Sequence, residues 1–75
     1  MRKISEKEII EVLSKILKIN SKKINIKSKL RDINNWDSLN SLKVYMKLET
    51  ITKRKLNISK LSEIETISDI YNYFK

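Results

Sequence analysis

The chain contains no cysteine, histidine, glycine or proline, and alanine and glutamine are missing as well. Three of these gaps each remove a class of function. Without cysteine, no disulfide staples the fold and no protein thiol serves as nucleophile. Without histidine as well, the usual zinc sites and histidine general-base catalysis fall away, and no metal site is expected. A phosphate-binding loop and a dinucleotide fingerprint both need glycines that are not there. Thiol chemistry, if it occurs here, needs a sulfur brought in on a cofactor. No apolar run approaches the roughly 18 residues that span a bilayer, and Met1 to Glu11 lack the apolar core of a secretory signal. The expectation is a soluble, cytoplasmic protein with no transmembrane segment.

What is present is short and basic. Its 75 residues suit one small domain, 1–75, near the size where a single core barely offsets chain entropy. Lysine and arginine number 17 against 9 aspartates and glutamates, a formal charge of +8. That excess raises nucleic acid, acidic membranes or an acidic protein as partners. The abundance of Ile, Lys and Asn is also what A/T-rich codons produce, so a compositional origin for part of the charge competes with a functional one.

Ser5-Glu6-Lys7-Glu8 reads as a capping box opening a first helix. Ile9, Val12, Leu13, Ile16 and Leu17 then recur at helical spacing, with Ile10 beside them. Acids come early and lysines late, as the helix dipole favours. From Ile19 to Asp37 the periodicity fails: Asn20, Ser21, Asn25, Ser28, Asn34 and Asn35 are turn formers between the anchors Ile24, Ile26, Leu30 and Ile33. Ile24 and Ile26 alternate with polar residues as in a strand, but nothing evident pairs with them, so a loop pinned to the core is expected. A loop this long in so small a domain points to function. A second helix is expected from about Ser38 to Arg54, with Leu39, Leu42, Val44, Tyr45, Met46, Leu48 and Ile51 on one broad apolar face and part of another. Asn57 to Glu63 reads as a turn and short helix, with Leu56, Ile58, Leu61 and Ile64 inward. Thr66-Ile67-Ser68-Asp69 is another capping box, starting a last helix that buries Ile67, Ile70, Tyr71 and Phe74. The fold class is therefore all-α: a four-helix bundle of three main helices and one short one, with a long loop between the first and second.

Asp37-Ser38 opens the second helix, and both residue types are preferred N-caps, so capping is the first explanation of the pair. A serine at a helix N-terminus is also exposed, among free backbone N–H groups and a dipole that favour a phosphodiester. The surrounding pattern decides between them. Leu30, Asp32 and Ile33 lead into Trp36-Asp37-Ser38-Leu39; Leu42, Val44, Met46, Leu48 and Glu49 follow; Ile64-Glu65-Thr66-Ile67, Ile70 and Tyr73 complete it. Over roughly residues 5–74 this frame resembles the acyl carrier protein family.

The resemblance implies that Ser38 carries a 4'-phosphopantetheine arm, taken from coenzyme A, whose thiol holds an acyl or aminoacyl cargo as a thioester. It implies a carrier that is not itself an enzyme. Asp37 would help present Ser38 to the phosphopantetheinyl transferase that installs the arm. Leu39, Leu42 and Met46 would form the apolar part of a second-helix surface met by partner enzymes, with Lys43 and Lys47 beside them, and Ile64 would border the path of arm or cargo. Plain core packing competes for each apolar residue; it is expected for Leu39, Val44 and Leu48 and evenly balanced for Leu42 and Met46. Trp36 is expected to anchor the loop rather than touch the arm. A monomer is expected.

One departure from the family sets the expected partners. Many carrier proteins display acids on the second helix. Here the matching positions read Asn40, Ser41, Lys43 and Lys47, with Glu49 the chief acid left and Lys53, Arg54 and Lys55 beyond it. A basic dock would be repelled, so a dedicated loading ligase or transferase with a neutral or acidic docking surface is expected. The alternative is a small basic helical nucleic-acid-binding protein, supported by the charge and by the clusters at Lys22–Lys29 and Lys53–Lys55. Charge alone gives salt-sensitive, nonspecific phosphate binding, and a helix-turn-helix reader needs a short turn where this chain has a long loop. No specific nucleic acid is expected.

Overall fold

A computed structural model describes residues 3–75. Three α-helices form the frame: α1 (Glu6–Leu17), α2 (Ser38–Thr52) and α3 (Ile67–Phe74). A 3₁₀ helix, Ile58–Glu63, links the second to the third. These are the four helices expected, and among the described residues there is no strand beyond one isolated bridge, Lys29 with Thr66. No helix of the described residues is long and apolar enough to cross a membrane.

Both expected capping boxes form. The Glu8 amide donates to Ser5 Oγ at 3.2 Å while the Ser5 amide donates to Glu8 Oε1 at 3.4 Å. At the start of α3 the Asp69 amide donates to Thr66 Oγ1 at 3.2 Å and the Thr66 amide to Asp69 Oδ2 at 3.0 Å. Each box satisfies amides that the first helical turn leaves without partners. Side chains one turn apart then meet in the core: Ile9, Leu13 and Leu17 from α1, Val44, Tyr45 and Leu48 from α2, Ile67, Ile70 and Phe74 from α3.

The long connection after α1 is held from both sides. Ile24, Leu30 and Ile33 are buried anchors, and Ile26 packs against them. The backbone adds hydrogen bonds to the entry of α3. The Ser68 amide donates to Ile26 O at 2.7 Å, the Ile67 amide to Ser28 O at 3.1 Å and the Leu30 amide to Glu65 O at 2.9 Å. Ile26–Leu30 thus finds a partner in Glu65–Ser68 without becoming a regular strand. Two short 3₁₀ turns, Ser21–Lys23 and Leu30–Asp32, absorb further backbone groups.

Some expectations need correction. Leu39 is not core: it is 63% exposed, as Leu42 (54%) and Met46 (56%) are. At 3.6 residues per turn, Leu39, Leu42 and Met46 share an arc of roughly 60°, on a different side from Val44, Tyr45 and Leu48. α2 therefore carries two apolar stripes, and only one is covered. Ile58 does not face inward either; it is 79% exposed. The 3₁₀ repeat aligns it with Leu61 and Ile64, but only the latter two pack against the core. α2 also stops at Thr52, ahead of Arg54, where Lys53 turns into the left-handed region at φ 62°. Tyr71 is half-buried rather than buried, with Lys75 Nζ 6.0 Å from its ring centre.

Candidate functional site

The start of α2 divides the roles of its two polar residues. Asp37 is the N-cap: its backbone is extended, and its Oδ1 accepts from the Asn40 amide at 2.8 Å. Its carbonyl accepts from the Ser41 amide at 2.8 Å. Ser38 is the first helical residue, exposed, and its hydroxyl bonds to no described residue. The Ser38 and Leu39 amides likewise donate to no described residue, leaving two N–H groups at the positive end of the helix dipole. Capping is thus done by Asp37, and the serine oxygen stays free.

The turn that delivers this serine is fixed by Asn35. Its φ of 68° reverses the chain, its Nδ2 donates to Leu17 O at 2.9 Å, and its own carbonyl accepts from Asn40 Nδ2 at 2.9 Å. One residue therefore ties the C-terminus of α1 to the first turn of α2. Trp36 follows, half-buried, its ring edge-on to Tyr45 with centres 5.9 Å apart and planes at 88°. Tyr45 is buried in turn, and burial pushes its phenol up to about 12, so it is neutral at physiological pH. Trp36 anchors the loop as expected, and it does so while lining an open cleft.

That cleft, about 290 Å³, is bounded by Trp36, Leu30 and Ile64 with Lys29, Arg31 and Glu65 at its polar edge. Trp36 stands two positions before Ser38 in the chain. Ile64, singled out in the sequence, lies here and is half-buried. In the sequence Glu65 stands out only within the family frame, Lys29 only within a basic cluster, and Arg31 not at all; the Lys29–Thr66 bridge that brings loop and α3 entry together leaves no trace in side-chain pattern. The remaining sequence candidates share the exposed side of α2. Leu39, Leu42 and Met46 form its apolar stripe, and Lys43 and Lys47 are exposed on the adjoining arc. Glu49 is committed elsewhere: its Oε2 accepts from the Leu56 amide at 2.6 Å.

A phosphodiester on Ser38 fits this arrangement. Ser38 is exposed, its Oγ and two adjacent amides have no partner among the described residues, and an open cleft and an exposed apolar stripe are near in the chain. Asp37 is the unfavourable charge; its carboxylate is already engaged by the Asn40 amide.

Among curated proteins, none matches this sequence. The family model of the phosphopantetheine attachment site does match, over residues 7–74, which takes in all three α-helices but the first residue of α1. The family is defined by covalently attached 4'-phosphopantetheine. With a match across nearly the whole chain and a helical frame of the expected order, the chain belongs to the phosphopantetheine attachment site family, as a carrier protein of the acyl carrier protein type.

Proposed function

We propose that this protein bears its arm on Ser38 and presents a thioester-linked acyl or aminoacyl group to separate enzymes, residues 1–75 acting as one carrier unit that catalyses nothing itself. The observation that supports this most is the Ser38 hydroxyl beside two amides, all three without a partner among the described residues, with capping assigned to Asp37. The arm, when bound, supplies the thiol that a chain without cysteine lacks. Everything else falls to the chain's own residues. Ser38 provides the attachment oxygen, and the Ser38 and Leu39 amides favour the negative phosphodiester. Asp37 holds the first turn in register, so that the hydroxyl points outward to a phosphopantetheinyl transferase. Leu39, Leu42 and Met46, with Lys43 and Lys47, make the surface that partner enzymes cover. Ile64 and Trp36 border the path along which arm or cargo folds back.

The test is intact mass after incubation with coenzyme A and a broad-specificity phosphopantetheinyl transferase, beside Ser38→Ala. Wild type gains one phosphopantetheine and the variant gains none. If folded wild type gains none even with the transferase from its own source, the proposal fails.

A further inference from the structure

Five cations lie on or just beyond the outer side of α2: Lys43, Lys47, Lys53, Arg54 and Lys55. All are exposed, and none has an ion-pair partner among the described residues. The last three gather at the C-terminal end of the helix, where a cleft of about 400 Å³ is lined by them with Met46, Glu49 and Thr50. Glu49, the cleft's acid, is bound to the Leu56 amide at 2.6 Å. The backbone beneath the cations is fixed at successive positions. The Lys53 amide donates to Glu49 O at 2.8 Å, and the Arg54 amide to the buried Thr52 Oγ1 at 3.3 Å. Lys55 O accepts from Tyr73 Oη at 3.1 Å, and the same phenol oxygen accepts from the Asn57 amide at 2.7 Å. A basic cluster on a pre-ordered backbone loses less entropy on binding than one on a free tail.

We propose that this cleft is a second docking point, receiving a carboxylate side chain from a partner enzyme that lays an apolar patch with an acidic rim along α2. The inference rests on the carrier reading only in that the partner's active site must face Ser38. Charge complementarity selects an acidic rim. The exposed stripe of Leu39, Leu42 and Met46 selects a protein, because it runs into the cleft at Met46 and gains nothing from a phosphate backbone. Geometry agrees. From Ser38 to Lys53 the helix rises roughly 22 Å, and a standard protein interface of about 800 Å² per partner is roughly 28 Å across. One partner therefore spans attachment serine and cleft together.

The experiment needs no arm and is done on the unmodified protein and on Ser38→Ala, so its failure and failure of the Ser38 assignment are separable. Amide shifts are followed while titrating a short amphipathic helical peptide of leucine and glutamate, with anionic phosphatidylglycerol vesicles and a short DNA duplex in parallel. The peptide is expected to shift Leu42, Met46, Thr50, Arg54 and Lys55. Arg54→Glu/Lys55→Glu is expected to weaken it about tenfold or more, while the charge-matched Lys22→Glu/Lys23→Glu in the loop leaves it unchanged. Both variants are first checked for helicity. Equal weakening by the two pairs means diffuse attraction and overturns the proposal. Vesicles or DNA engaging these residues in preference to the peptide overturn it in favour of a membrane or nucleic acid, and so does binding of none of the three.

Discussion

With no glycine in the chain, its left-handed turns fall to Lys18, Asn35 and Lys53, at φ of 56°, 68° and 62°. The two lysines end helices, where their charge suits the dipole. Asn35 is different, because it combines a conformation that asparagine tolerates better than most residues with two hydrogen bonds joining α1 to α2. Substitutions separate these contributions. Asn35→Ala should cost about 2 kcal/mol, losing both the Nδ2 bond to Leu17 O and asparagine's better tolerance of the left-handed region. Asn35→Gly should cost about half as much, since only the side-chain bond is lost while the turn is relieved. Denaturant unfolding of the two variants reads this directly, and equal losses would mean the turn itself carries no strain. In the sequence Asn35 is legible as a turn former and no further, because its bond to Leu17 spans 18 positions. The division between Asp37 and Ser38 is similarly hidden: both are good caps on paper, and only the helix start tells which one caps.

At the scale of elements, what could be read follows from local rules. The capping boxes of α1 and α3 declare themselves in four residues each, and the buried stripe of α1 in its 3.6-residue period. α2 defeats the same reasoning. Two apolar stripes on one helix give no single direction, so Leu39 looks like core until the neighbours are placed. The Ile26–Leu30 segment is invisible for another reason. Its pairing with Glu65–Ser68 uses backbone groups, which every residue has. Asp69 is where that pairing meets a titratable group. Amides of Glu65 and then Thr66 donate to its carboxylate and hold it below the usual range, helped by the Thr66 side chain and opposed by partial burial. A depressed folded-state value means the stabilisation is complete above the unfolded value near 4 and is lost as pH falls through the folded one. Wild type should therefore weaken on acidification below about pH 4. Asp69→Asn should cost about 1 kcal/mol at neutral pH and show a shallower acid decline. Unfolding midpoints across the acid range check both; an unchanged acid slope in the variant would assign the decline to other carboxylates.

For the whole molecule the decisive quantity is charge against size. A formal +8 is confined to a body of 29 × 23 × 20 Å. At 0.01 M salt the screening length is about 30 Å, so every cation repels every other across the protein; at 0.15 M it is about 8 Å, and only neighbours interact. Favourable pairs offset little of this, since an exposed pair such as Lys60–Glu63, at 3.4 Å, contributes between nothing and about 1 kcal/mol. A domain this small has little stability in reserve, at the low end of roughly 5–15 kcal/mol. Relieving even about 1 kcal/mol of repulsion should raise the melting temperature by about 4–8 °C. Thermal unfolding at 0.01 and then 0.15 M sodium chloride, concentrations taken from those screening lengths, should thus show a clear rise. The same comparison on Arg54→Glu/Lys55→Glu should show a smaller one, because that exchange lowers the net charge by four units, from +8 to about +4. A rise of equal size in both would mean that salt acts through burial of apolar surface rather than through charge, and that the positive field costs the fold nothing measurable.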